Sequence, residues 1–359
     1  MSIEASITKC LGKNFTLEVD LRTDGGCLGI LGASGSGKSM TLKCIAGIET
    51  PDAGRIVVNG RTLFDSAERV NLRPQRRRVG YLFQNYALFP RMTTEENIGA
   101  GVSGPPAERR RTVSGLMARF RLEGLEKLLP HQLSGGQQQR AALARMLAAA
   151  PDILLLDEPF SALDSHLREQ MQLGLGEIIR ERRDVVMVTH SRDEAYKLCG
   201  NLLILDGGRG LGQGGTQELF DNPKKLRIAR LTGCKNFSRM ERISPHRIRA
   251  LDWDLELNVK RQVPDGVDYI GVRAHDLVPL ADGEVLADNV VELRVKECSE
   301  EPFERTVVFT NAAAGPTGSG DIWWKYSKYA AQQVPPRRLR IPPGAVLFLR
   351  SDGVDPDKV

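Results

Sequence analysis

The chain has 359 residues, 41% of them hydrophobic and 26% charged, which is the balance of an ordinary globular protein long enough for two domains. A net charge of +5 over that length does not argue for nucleic acid as a partner. Six scattered cysteines without a C-x-x-C pair fit neither a disulfide framework nor a zinc site, and no stretch approaches the roughly 18 apolar residues that span a bilayer.

The opening residues, MSIEASITKC, lack the apolar core of a signal peptide. Ile3–Thr8 and Phe15–Asp20 alternate with period two and are predicted strands. Leu28–Leu31 is a short apolar run, expected as a buried parallel strand. It leads into Gly32-Ala33-Ser34-Gly35-Ser36-Gly37-Lys38-Ser39, which fits G-x-x-x-x-G-K-[ST], and then into Met40–Gly47, a helix closed by glycine. That setting turns the pattern into a phosphate site. Glycines let backbone N–H groups point inward, the helix N-terminus adds a positive dipole, and Lys38 adds a mobile charge for the β- and γ-phosphates. Ser39 offers its hydroxyl to Mg²⁺.

Arg55–Gly60 reads as a strand ending in an Asn-Gly hairpin signal, and Val79–Phe83 as a strand after the basic loop Arg73–Arg78. Residues 84–97 show no periodicity and read as a functional loop. From Ile98 to about Pro130 the chain reads helical around a Gly/Pro interruption, with Arg109, Arg110, Arg111, Arg119 and Arg121 interleaved among apolar positions. A solvated helix face is the first reading of those arginines, and contact with lipid headgroups or a membrane partner the second. Leu133-Ser134-Gly135-Gly136-Gln137 opens a helix through Ala150. Ile153–Leu156 is an apolar strand ending in Asp157 and Glu158. Helix Ser165–Arg183, strand Val185–Thr189, His190, helix Arg192–Cys199 and strand Leu202–Asp206 continue an α/β alternation, which implies a parallel sheet with helices on its faces. After about Leu231 short alternating runs separated by Pro/Gly turns predict a smaller all-β, barrel-like domain.

Asp157 at a strand end is placed to hold Mg²⁺ through water, and Glu158 to polarise the attacking water. His190 ends a neighbouring strand on the same edge, where it could bond the γ-phosphate. With these motifs in this order and spacing, the chain resembles an ATP-binding cassette (ABC) ATPase over roughly residues 1–231. The resemblance implies a P-loop nucleotide-binding domain with a helical subdomain at about 90–150, followed by an OB/TOBE-like regulatory domain at 232–359. It also implies that Gly32–Ser39 is the Walker A loop and that Gln84 senses both Mg²⁺ and the membrane partner. Leu133–Gln137 is then the signature, Asp157 the Walker B magnesium ligand, Glu158 the catalytic glutamate, Ser161–Asp164 the D-loop and His190 the switch histidine. Ser134-Gly135-Gly136 would form a second anion site at a helix N-terminus. In this family two copies sandwich two ATP molecules head to tail, each held by Lys38 of one copy and Ser134 of the other. One departure concerns adenine: the usual stacking aromatic is replaced by Leu11 before Gly12, with Phe15 as a possible substitute.

A cassette without a fused transmembrane segment, the Q-loop Val79–Pro90 and the β-rich tail resemble the ATP-binding subunits of bacterial importers. This implies permease subunits, an extracytoplasmic solute-binding protein and a place at the cytoplasmic face of the membrane. Leu231–Asn236 and Thr189–Ala195 resemble the molybdate branch, so molybdate or tungstate is the expected solute, with sulfate next and sugar or polyamine behind. Lys235, Asn236 and Arg273 could supply oxyanion donors in the tail, although surface roles are the simpler reading. A soluble, non-transport ABC ATPase is the reading from another class.

Overall fold

Within the chain, the apolar runs expected as buried strands lie side by side. The computed structural model describes residues 2–12, 14–161, 163–181, 184–280, 288–314, 320–329 and 336–351. They divide into two compact units, Met1–Thr216 and Gln217–Val359.

In the first unit, β1 (Ile3–Leu11), β2 (Phe15–Thr23), β3 (Gly26–Leu31), β4 (Ala53–Val58), β5 (Arg61–Asp65), β6 (Val70–Asn71), β7 (Val79–Leu82), β8 (Ile153–Asp157), β9 (Asp184–Thr189), β10 (Asn201–Asp206) and β11 (Arg209–Gly215) form one sheet. Its order is β6-β5-β4-β1-β2-β11-β10-β3-β9-β8-β7. The run from β10 to β7 is parallel, and that from β6 to β2 antiparallel. Every residue of β8 is buried, as expected of a strand covered on both faces. The parallel topology brings the C-terminal ends of β3, β8 and β9 to one edge, where an open α/β sheet carries its ligand site. The two halves of the sheet meet at β2 and β11 through a single register pair, Glu18 with Arg209. Farther along, the Gln213 side-chain amide accepts from the Arg22 N–H at 3.2 Å and donates to the Arg22 carbonyl.

Asn59 and Gly60 both have positive φ (51° and 75°) and close the β4–β5 hairpin, as the Asn-Gly pair predicts. Helix α1 (Lys38–Ala46) follows the glycine loop and ends on Gly47 at φ 78°. Arg77, 1% exposed, closes that end: it donates to the carbonyls of Cys44 (2.9 Å), Ile45 (2.8 Å) and Leu72 (2.8 Å) and to Asn71 Oδ1 (2.9 Å). A Cβ on Gly47 would lie 2.4 Å from Arg77 Nε, so glycine is required there for space as well as for φ.

The helical region departs from the sequence reading. Helix α2 (Thr94–Gly99) begins inside the stretch expected to be loop, because Thr93 and Glu96 form a capping box. Helix α3 (Pro106–Arg119) stops well before Pro130; Arg121 at φ 50° and Gly124 at φ 82° turn the chain instead. Within α3 only Met117 is buried and the arginines are exposed, in keeping with a solvated face. Helices α4 (Gly135–Ala148), α5 (Ser165–Glu181) and α6 (Arg192–Leu198) lie where the alternation placed them. No helix among the described residues is long and apolar enough to cross a membrane.

Helix α7 (Thr216–Asp221) begins on the last residue of the first unit and, with α8 (Leu226–Leu231), opens the second. Leu226 and Ala229 of α8 pack with Cys234 and Leu349 of the tail, so the second unit begins ahead of the composition change. Its strands are β12 (Asn236–Ser244), β13 (Arg247–Ala250), β14 (Leu255–Asn258), β15 (Tyr269–Val272), β16 (Val278–Leu280), β17 (Val290–Glu300), β18 (Glu304–Asn311), β19 (Ile322–Ser327), β20 (Arg338–Arg340) and β21 (Leu347–Leu349). They form two five-stranded antiparallel sheets around a core that includes Trp253, Phe309 and Trp324. Among its described residues the unit is all-β apart from its opening helices. Asn236, fully buried, accepts from the Trp323 N–H at 2.6 Å and donates to its carbonyl at 2.9 Å. Arg273 donates to the carbonyls of Thr232 and Phe220, and Lys235 lies 4.6 Å from the Trp323 ring centre. All three side chains considered as oxyanion donors are thus engaged in holding the unit together.

Candidate active site

The glycine loop runs from the end of β3 to α1, and its glycines answer local geometry. A Cβ on Gly32 would lie 2.0 Å from the Leu205 carbonyl oxygen and 2.8 Å from Ser36 Oγ. Gly37 has φ 100°, and a Cβ there would meet Leu17 Cδ1 at 2.6 Å. Ala33, Ser34 and Gly35 are exposed, whereas Ser36 is buried with its hydroxyl unpartnered. The Lys38 ammonium, 5% exposed, folds back to donate to the carbonyls of Gly32 (3.0 Å) and Ala33 (2.7 Å). Burial pulls its pKa below the ordinary lysine value, and the charges of Glu158 and Asp157 partly oppose that shift. A buried cation held only by neutral oxygens, beside an orphaned buried hydroxyl, is a site that fits a phosphate.

Opposite the loop, Ser39 Oγ donates to Asp157 Oδ1 at 2.7 Å. The other oxygen of that carboxylate, Oδ2, accepts from the Tyr81 hydroxyl at 2.8 Å. Burial, then the neighbouring Asp157 charge and hydrogen bond, hold the Tyr81 phenol well above its ordinary pKa, so it remains a donor. The sequence reading missed Tyr81; its only signal was a polar-tipped aromatic in a strand paired with β8. Ser39 and Asp157 form a pair of hard oxygen ligands of the kind Mg²⁺ takes, to be completed by phosphate oxygens and water.

Glu158 has φ 45°, rare for a side chain of this kind and further disfavoured before Pro159; such a conformation costs about 1–3 kcal/mol. It persists because the Glu158 N–H donates to Val188 O at 3.0 Å, while its carbonyl accepts from the Ser161 N–H (3.2 Å) and Oγ (3.1 Å). The side chain, 21% exposed, comes within 3.3 Å of His190 Nδ1, whose ring is 60% exposed. Thr189, beside His190, donates to Glu194 Oε2 at 2.5 Å and accepts from the Ser191 N–H at 2.9 Å, fixing the step from β9 to α6. Ala162 of the expected D-loop lies outside the described residues.

The remaining predicted residues lie apart from this cluster. Gln84 is exposed just past β7. The following loop is tied down by Arg145, which donates to the Ala87 and Tyr86 carbonyls at 2.8 and 3.0 Å, and by Asn97, which bonds Phe89 and Met92. Ser134 caps α4: its Oγ accepts from the Gln137 N–H at 3.4 Å, and Gln137 Oε1 accepts from the Ser134 N–H at 2.8 Å. Ser134 and Gly135 are exposed, and Gly136 faces Leu167. Leu11, half-buried at the tip of the β1–β2 hairpin, pairs with Phe15. A Cβ built on Gly37 or Gly208 would come within 3.5 or 3.1 Å of Phe15 Cζ, so the Phe15 ring borders the glycine loop.

Comparison with known proteins agrees with this geometry. The ABC transporter family model matches residues 15–161. The sulfate/thiosulfate import ATP-binding protein CysA of Mycobacterium tuberculosis is 33% identical over 369 residues, covering 99% of this chain and 98% of that protein. The chain belongs to the ABC transporter family. CysA of Synechocystis is 41% identical over 59% of this chain, a match that spans 58% of that protein's length. The spermidine/putrescine import ATP-binding protein PotA of Nitratidesulfovibrio vulgaris is 40% identical over 62% of this chain and 60% of its own. Among solved structures, the dimeric post-hydrolysis state of the ATP-binding cassette MJ0796 bound to ADP and Pi is similar. It has a TM-score of 0.51 and 29% identity, covering 60% of this chain and 99% of that one. Family membership makes the chain an ATPase coupled to transport, which uses ATP with Mg²⁺.

Proposed function

We propose that the chain is the ATP-hydrolysing subunit of an importer for a tetrahedral inorganic oxyanion, with sulfate or thiosulfate as the solute. One observation carries the solute: the match to a sulfate/thiosulfate import protein runs from end to end and includes the β-rich unit, whereas the polyamine relative matches over 62% of the chain. Molybdate is the second reading, favoured by the segments Leu231–Asn236 and Thr189–Ala195. The packing of Asn236 on the Trp323 backbone supports a structural use of the first of these segments.

In this reading Lys38 exchanges its two loop carbonyls for β- and γ-phosphate oxygens, and the inward N–H groups of Gly32–Ser39 take the rest of the phosphate charge. Ser39 and Asp157 hold the magnesium ion, which when bound neutralises charge on the β- and γ-phosphates. Glu158 orients and polarises the attacking water, and His190 holds the Glu158 carboxylate while offering its other ring nitrogen to the γ-phosphate. Gln84, exposed just past β7, would contact the bound ion and the permease, and Leu11 with Phe15 would support the base. Two copies pair head to tail, so that Ser134, Gly135, Gly136 and Gln137 of one meet the ATP on Lys38 of the other. The dimer works at the cytoplasmic face on transmembrane permease subunits, which an external solute-binding protein supplies.

The test is uptake in a strain lacking the chain. Loss of labelled sulfate uptake, restored by wild type and not by Glu158→Gln, is the expected result. Unchanged sulfate uptake with lost cellular molybdenum would transfer the proposal to molybdate. In purified full-length protein Glu158→Gln should lower turnover by about 10²–10⁴-fold while leaving ATP bound; normal turnover would remove Glu158 from the chemistry.

A further inference from the structure

Gln139 lies on α4, one helical turn beyond the cap formed by Ser134 and Gln137, and is completely shielded from solvent. A primary amide has capacity for about four hydrogen bonds and normally fills most of it when buried. Gln139 makes one on its nitrogen and leaves its oxygen without a partner: Nε2 donates to the Pro159 carbonyl at 2.5 Å, and Oε1 is orphaned. Because that carbonyl can only accept, the amide's orientation is set. An apolar side chain of equal size would satisfy the packing without stranding an oxygen, so the single bond to Pro159 is the feature to explain.

Pro159 directly follows Glu158, the residue at φ 45°. The peptide on one side of Glu158 is bonded to β9 through Val188, and its own carbonyl is bonded to Ser161. Gln139 supplies the third tether, and it alone of the three comes from α4. The helix with the Ser134–Gln137 anion site at its N-terminus is therefore bonded directly to the backbone that aims Glu158.

We infer that Gln139 is a positioning residue that couples the two nucleotide sites of the dimer. The inference rests on the proposed head-to-tail pairing. A partner's ATP drawing on the N-terminus of α4 shifts that helix; Gln139 passes the shift to Pro159, and the setting of Glu158 toward its own ATP changes. Each site then hydrolyses at a rate that depends on occupancy of the other, a coupling between sites carried by one hydrogen bond.

The experiment is ATP hydrolysis by the full-length protein as a function of ATP, with Gln139→Met, which fills the same space without a donor, and Gln139→Glu, which sets a carboxylate against the carbonyl. The expected result is a Hill coefficient falling from about 2 to about 1 in both variants. Turnover should fall about tenfold in Gln139→Met and further in Gln139→Glu, with ATP affinity at low occupancy kept within about twofold. If Gln139→Met does not fold, Gln139→Asn, which keeps the amide but draws it back from Pro159, provides the same reading. An unchanged Hill coefficient in a folded variant, or equal loss of turnover and affinity, would overturn the coupling and leave packing as the role. Glu158→Gln run alongside separates the two levels. If it keeps normal turnover, the active-site reading has failed; if it is dead while the Gln139 variants stay cooperative, only the coupling has failed.

Discussion

Removing the Tyr81 hydroxyl perturbs one atom of the site and leaves every motif intact. In Tyr81→Phe, Asp157 keeps Ser39 on Oδ1 at 2.7 Å but loses the 2.8 Å donor on Oδ2. A hydrogen bond to a charged group contributes about 1.5–3 kcal/mol, and its loss lets the carboxylate rotate out of the plane that Ser39 and Tyr81 define together. Groups that orient a metal ligand in this way are worth about 10–100-fold in metal affinity. The half-saturating Mg²⁺ concentration for ATP hydrolysis should therefore rise by about that factor, with turnover at saturating Mg²⁺ kept within about threefold. The assay is a Mg²⁺ titration of ATPase activity at fixed, saturating ATP. A loss of turnover that excess Mg²⁺ does not restore would show that Tyr81 acts on the reacting groups. An unchanged midpoint would show that Asp157 needs no second tether.

Three further outcomes are expected. Arg77→Met removes the Arg77 donors from the Cys44, Ile45 and Leu72 carbonyls, of which Cys44 keeps the Gly47 N–H, and should lower stability by about 2–4 kcal/mol in urea denaturation, with Arg77→Lys recovering less than half because its single nitrogen cannot reach acceptors that the guanidinium meets through Nε, Nη1 and Nη2; a loss below about 1 kcal/mol would refute that account. Ser134→Arg in a Glu158→Gln background should abolish the ATP-dependent dimer in size-exclusion chromatography while each monomer still binds ATP, and a persistent dimer would remove α4 from the interface. Lys38 has its pKa lowered in the free chain, so approaching lysine's ordinary value from below it is partly neutral and, as pH rises there, the folded state gains relative to an unfolded chain that still carries the proton. Phosphate returns that proton, so calorimetry of ATP binding at alkaline pH should record proton uptake, seen as heats that differ between buffers of different ionisation enthalpy; identical heats would refute it.

The sequence was most legible where one local rule decided the outcome. Apolar runs of strand length gave β3, β8 and β9, Gly47 ended α1, and Asn59-Gly60 made its hairpin because each signal is complete within a few residues. Thr93 and Glu96 are equally local signals, yet α2, at six residues, is too short to show a hydrophobic period. Tyr81, Arg77 and Gln139 were not legible. Each acts on a partner distant in sequence or on a backbone oxygen, and backbone oxygens carry no sequence identity. The tail showed the converse: β12 alternates in burial, but its inward positions include polar Asn236 and Ser238, whose partners are backbone atoms, so no hydrophobic alternation marks its start.

The join between β2 and β11 carries a mechanical consequence. Besides the one register pair, the Glu18 N–H donates to the Gly208 carbonyl at 2.7 Å, Arg209 pairs with Glu18 and the Gln213 amide bonds Arg22, and one hydrophobic core runs beneath both parts, so a parallel plate and an antiparallel one are held as a single body. The glycine loop is rooted in the first plate, and Leu11 and Phe15 belong to the second. The Phe15 ring lies beside Gly37 and Gly208, so the second plate sets an aromatic wall against the loop. A nucleotide long enough to touch both plates would therefore meet surfaces whose separation the shared core has already set.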